Sequence, residues 1–68
     1  EVVSEIPGTI IQIFVNEGEE LLKGTPLLIL EAMKMENIIR MPLDGKIKRI
    51  TVEKGQKIGK HTVLMLLE

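Results

Sequence analysis

The sequence predicts an all-β domain, a flattened eight-stranded barrel or sandwich built from two halves related by a pseudo-twofold axis. Three observations predict it. The chain repeats itself after 37 residues, and each copy holds β-branched and apolar runs broken by glycine turns. No window sustains the 3.6-residue period of an amphipathic helix.

Shifted by 37 residues, positions 5–31 align without a gap on positions 42–68. The identical pairs include Gly8/Gly45, Ile10/Ile47, Ile13/Ile50, Val15/Val52, Gly18/Gly55, Thr25/Thr62, Leu27/Leu64 and Leu30/Leu67. Two copies are too few for a solenoid, which needs about three or more units to bury its faces. Neither copy can hide its own apolar side, so the two must pack together.

The elements follow in order within each copy. Thr9–Val15 and Lys46–Val52 read as strands, with Ile13 and Val15, or Ile50 and Val52, turned to one face. The step from Ile10 to Ile13, and from Ile47 to Ile50, breaks the period of two. If all four are core residues, a bulge lies inside each strand, as a tightly closing small barrel needs. Asn16-Glu17-Gly18 and Glu53-Lys54-Gly55 are turns in which glycine supplies a positive φ. Pro26–Leu30 and Val63–Leu67 are unbroken apolar runs, expected to be strands covered on both sides.

One segment lies outside the repeat. Glu31-Ala32-Met33-Lys34-Met35-Glu36-Asn37 separates the apolar runs Leu27–Leu30 and Ile38–Met41, which predicts a hairpin with its tip at Met33-Lys34. Two-residue hairpin turns favour Asn or Gly, and this tip has neither. The symmetry adds a prediction about shape. The link holding Lys34 maps onto the junction of the two termini, so Lys34 should occupy one pole and Glu1 and Glu68 the other.

Glu31-Ala32-Met33-Lys34-Met35-Glu36 resembles the signature of biotinyl domains, the biotin carboxyl carriers of biotin-dependent carboxylases and decarboxylases. The likeness extends along residues 1–68. Pro7-Gly8-Thr9-Ile10 looks like the family's first Pro-Gly turn, Gly18 and Gly24 match its spaced glycines, and Pro42, Gly45, Val52 and Gly55 match its second half. The segment around the lysine is the specific part, because lipoyl domains share the glycine spacing. Two places depart from the family pattern. Ser4-Glu5-Ile6 stands where relatives carry a more apolar, proline-bearing lead-in, and His61 stands where the repeat expects the counterpart of Gly24. The protruding thumb of some acetyl-CoA carboxylase carriers is also not expected, since the copies align without a gap.

The resemblance implies a barrel-sandwich hybrid that carries biotin covalently on Lys34, with Met33 and Met35 as flanking recognition residues. A free lysine is protonated and poorly nucleophilic at neutral pH, and a hairpin tip offers no desolvating pocket. Activation would come from a biotin protein ligase supplying biotinyl-AMP. The implied partners are that ligase, a biotin carboxylase and a carboxyltransferase, in the cytoplasm or, in a eukaryote, the mitochondrial matrix. Carboxyl groups would travel on the Lys34 arm from the carboxylase site to the transferase site. The acceptor is set by the transferase, so acetyl-CoA, propionyl-CoA, pyruvate or a membrane decarboxylase partner all suit this carrier.

Two other readings remain at this point. A lipoyl carrier of a 2-oxo acid dehydrogenase complex shares the fold, but lipoyl domains place an acid before the lysine and a small residue after it. An unmodified structural hybrid domain would require Met33-Lys34-Met35 to be accidental.

Composition sets the remaining expectations. With 68 residues and 44% hydrophobic content the chain is one domain, and its abrupt start at Glu1-Val2-Val3 is expected of a piece of a longer protein. Without cysteine there is no disulfide or thiolate metal site to staple it. Phe14 is the single aromatic, which argues against a nucleic-acid stacking platform. No apolar run reaches the ~20 residues of a membrane-spanning helix. Residues 1–31 hold six acids and one base, residues 32–68 four acids and eight bases. The bases alternate with apolar residues, as solvated strand faces do. No Ser–His pair, Cys–His pair, phosphate loop or metal-ligand spacing is present, so a carrier without catalytic or metal residues is expected. His61, a lone histidine, is read as a surface or packing residue.

Overall fold

The computed structural model describes residues 1–68 and contains eight strands and no helix. They are β1 (Val2–Val3), β2 (Gly8–Ile13), β3 (Glu20–Leu21), β4 (Pro26–Ala32), β5 (Met35–Arg40), β6 (Gly45–Ile50), β7 (Lys57–Ile58) and β8 (Val63–Leu67). Two four-stranded sheets form, in the orders β5-β4-β2-β7 and β1-β8-β6-β3. Adding 37 to the residue numbers carries β2, β3 and β4 onto β6, β7 and β8, and each sheet onto the other. The short strands β3 and β7 cross over, each completing the sheet of the opposite copy. Neither half can fold as a separate sandwich for that reason.

Hydrogen bonds repeat with the same shift. The Gly18 amide donates to the Ile47 carbonyl at 2.7 Å, and the Gly55 amide to the Ile10 carbonyl at 2.6 Å. Both bonds join one copy to the other. Within the turns, the Asn16 amide donates to the Glu19 carboxylate at 3.0 Å and the Glu53 amide to the Gln56 side-chain oxygen at 2.9 Å. Gly18 and Gly55 share a φ of 87°, a left-handed backbone that glycine adopts without steric cost.

The expected bulges are present. The register of β2 on β4 shifts between Ile10 and Gln12, and that of β6 on β8 between Ile47 and Arg49. Ile10 and Ile47 are fully buried, and Ile13 and Ile50 pack against the core from partly buried positions. A second symmetric pair of irregularities was not anticipated. The register also shifts between Pro26 and Leu28, and β8 has the matching break between Val63 and Met65. Leu27 and Leu28 are consequently both fully buried, as are Leu64 and Met65. Consecutive apolar residues are thus explained by a bulge that turns both inward, not by a strand covered on both sides. Pro26 stays exposed and Ile29 half-buried, which fits a sheet with one wet face.

The core is one cluster of aliphatic and Met side chains drawn from both copies, including Ile10, Leu27, Leu28, Leu30, Met41, Ile47, Leu64 and Met65. Ser4, part of the departure in the lead-in, is also fully buried. Its hydroxyl donates to the Ile6 carbonyl, so no polar atom is stranded.

Candidate hairpin site at Lys34

Strands β4 and β5 pair from Pro26 opposite Arg40 to Ala32 opposite Met35. That leaves Met33 and Lys34 alone in the loop. Their φ angles are 53° and 64°, both left-handed. Two consecutive positive φ values are what a two-residue type I′ turn requires, because its twist matches that of the flanking strands. Neither residue is Gly, Asn or Asp, so each pays a left-handed penalty of about 1 kcal/mol. The missing Asn or Gly thus has a structural consequence, backbone strain at Met33 and Lys34.

The neighbours hold this strained tip in place. Ala32 is buried, which anchors the strand up to the residue before the turn. The Asn37 side-chain amide donates to the carbonyls of Leu30 and Met35, both at 3.3 Å, and so braces the hairpin from behind. Gly8 lies against the Glu31 carbonyl so closely that no β-carbon fits, and Leu30 Cδ1 is 3.0 Å from where one would stand. Gly8, expected from the sequence to be a turn residue, instead opens strand β2. Its role is to let β2 press against the stem of the hairpin.

The tip is bare. Met33 is 94% exposed and Met35 66%, with Lys34 between them also exposed. Glu31 and Glu36 face each other one pair back from the tip, both solvated. The two concave surfaces of the domain both adjoin Leu21; one includes Asp44 and Lys46, the other Phe14, Pro26 and Ile38. Neither includes Lys34. The site is a protruding amine on a rigid stalk, suited to being inserted into another protein's active site.

Lys34 and the termini lie at opposite ends. The stem of seven residues in β4 spans about 20 Å at ~3.3 Å per residue, within a molecule of 30 × 18 × 17 Å. At its base Gly24 donates to the Met41 carbonyl, and Met41 lies beside Gly45. Glu68 is there too, its amide donating to the Lys46 carbonyl at 2.9 Å. Val2 pairs with Met65, which brings Glu1 to the same end. The polar arrangement deduced from the repeat is the one observed.

Comparison with known proteins identifies the hairpin's setting. Residues 1–67 match the family described as biotin-requiring enzyme. The chain belongs to that family. It is 42% identical over 65 residues to pyruvate carboxylase of Staphylococcus aureus, with 96% of this chain aligned. With the alpha subunit of mitochondrial methylcrotonoyl-CoA carboxylase of Dictyostelium discoideum it shares 50% over 48 residues, or 71% of this chain. The chain covers only 6% and 7% of those two carboxylases. The biotin carboxyl carrier protein of acetyl-CoA carboxylase from Solanum lycopersicum is 35% identical over 67 residues, and 96% of that protein is covered. Among solved structures, a single-chain, multi-domain long-chain acyl-CoA carboxylase superposes with a TM-score of 0.90 at 29% identity, covering 96% of this chain and 7% of that one.

Membership in this family implies covalently attached biotin as the cofactor. The tip fits that group: a primary amine stands clear of the surface on a braced turn, open for an amide to form. No helix of the domain is long and apolar enough to cross a membrane.

Proposed function

We propose that Lys34 is the biotin-bearing residue and that the domain is a carrier without catalytic residues of its own, serving a biotin-dependent carboxylase. The left-handed Met33-Lys34 tip carries the proposal, because a strained, exposed turn is kept where Asn-Gly would fold better. The Lys34 amine would attack the acyl carbon of biotinyl-AMP in the ligase site, forming an amide as AMP leaves and the nitrogen loses its proton. The chemistry supplied by bound biotin is uptake and release of a carboxyl group at its ureido nitrogen. What the domain contributes is position. The braced stem holds Lys34 at one pole, any flanking chain leaves from the other, and tethering keeps the effective concentration at partner sites high. The partners are then a biotin carboxylase and a carboxyltransferase, as in the carboxylases it resembles.

The test offers biotin protein ligase and lipoate ligase separately to the domain and to the double variant Met33→Asp, Met35→Ala, weighing the products. The wild type should gain biotin. The variant, moved toward the lipoyl pattern, should lose most of that labelling while keeping its fold, since both side chains point into solvent. Faster lipoylation than biotinylation of the wild type would overturn the carrier class.

A further inference from the structure

The four methionines divide into two pairs. Met33 and Met35 are 94% and 66% exposed, one on either side of Lys34, whereas Met41 and Met65 are 2% and 0% exposed in the core. The turn geometry sets this contrast. A left-handed backbone at Met33 swings its side chain off the sheet, and Met35 opens β5 on an exposed face.

A thioether in open solvent is oxidised by peroxides. A sulfur lone pair attacks one peroxide oxygen, the O–O bond breaks, and the other oxygen leaves as water after proton transfer. Sulfur is oxidised by two electrons to the sulfoxide and the peroxide is reduced by two. Met41 and Met65 are shielded from the same reaction by the packed core. Any protein that brings a reactive carbon within bonding distance of the Lys34 nitrogen must also cover the residues on either side. Both now present flexible apolar groups suited to such a surface. A sulfoxide would place a strongly hydrogen-bonding S=O in that contact, and burying it without a partner is costly.

We propose that Met33 and Met35 form an oxidation site whose state decides whether Lys34 is accepted for acylation. This rests on the assignment of Lys34 as the biotin-bearing residue. Oxidation leaves the fold intact, since neither side chain is part of the core. It is reversible, because methionine sulfoxide reductases restore the thioether.

The experiment treats the folded domain with hydrogen peroxide, removes the oxidant with catalase, and maps added oxygen by peptide mass. Oxygen should appear on Met33 and Met35 before Met41 or Met65. Treated and untreated samples are then offered biotin, ATP and biotin protein ligase. Labelling of the treated sample should fall about tenfold or more, and reductase treatment should restore it. The variant Met33→Leu, Met35→Leu, whatever its own rate, should label equally before and after peroxide. Treated protein that labels as fast as untreated, or Met41 and Met65 oxidised as readily as the tip, overturns the proposal. Untreated protein that takes no biotin at all overturns instead the assignment of Lys34 on which it rests.

Discussion

Gly24 and His61 occupy the same position in the two repeats and share a left-handed backbone, with φ of 90° and 65°. Each donates its amide across the fold to a symmetry-related carbonyl, Gly24 to Met41 at 2.8 Å and His61 to Ser4 at 2.7 Å. The second copy thus keeps the turn and its hydrogen bond while carrying a side chain that disfavours the conformation. Replacing His61 by Gly should stabilise the domain by about 1 kcal/mol, the strain relieved exceeding the entropy added to the unfolded chain. A urea titration reads this as a higher midpoint; a lower one would show that the His61 side chain contributes more than its backbone costs.

The repeated glycines Gly8 and Gly45 differ in the space around them. A β-carbon on Gly8 would collide with the Glu31 backbone, whereas one on Gly45 would meet Leu43 Cδ1 at 3.4 Å, Met41 Cε at 3.6 Å and the Glu68 carbonyl oxygen at 3.8 Å, none a clash. Gly8→Ala should therefore cost about 2 kcal/mol or more, and Gly45→Ala less than about 1 kcal/mol. Thermal unfolding of the two variants checks the order. Equal losses would mean that the hairpin stem yields to β2.

Strain at the tip gives a third expectation. Changing Met33→Asn together with Lys34→Gly supplies residues that favour a type I′ turn, and should stabilise the domain by about 1–2 kcal/mol while removing the acceptor amine. Denaturant unfolding measures the gain. No gain would mean that the two left-handed residues carry no penalty here.

Much of this was readable from residues alone because the repeat acts as an internal control. Ile10 and Ile13 recurring as Ile47 and Ile50 locate the bulges, whereas the left-handed backbone that His61 shares with Gly24 is not legible in the sequence, where His61 reads only as a surface or packing residue. The hairpin and the polar placement of Lys34 also followed. The bulges at Leu27 and Leu64 did not, because a continuous apolar run looks the same whether it is covered on two faces or kinked toward one. The exchange of β3 and β7 between sheets escaped for another reason. Strands of two residues, Glu20–Leu21 and Lys57–Ile58, have no period to detect, and their pairing depends on long-range contacts. At the site, Lys34, Met33 and Met35 stood out, but the close approach of Gly8 to Glu31 and the bracing by Asn37 required the fold.

The central claim is that one amine, held at the pole opposite the termini, is the attachment point. It is tested most directly by peptide mass mapping of the wild type and of Lys34→Arg after incubation with biotin, ATP and biotin protein ligase. Arginine keeps the charge but is not an acyl acceptor. The account predicts one biotin per wild-type chain, on Lys34, and none on the variant; biotin on Lys23 or Lys60, or labelling that persists in Lys34→Arg, would contradict it.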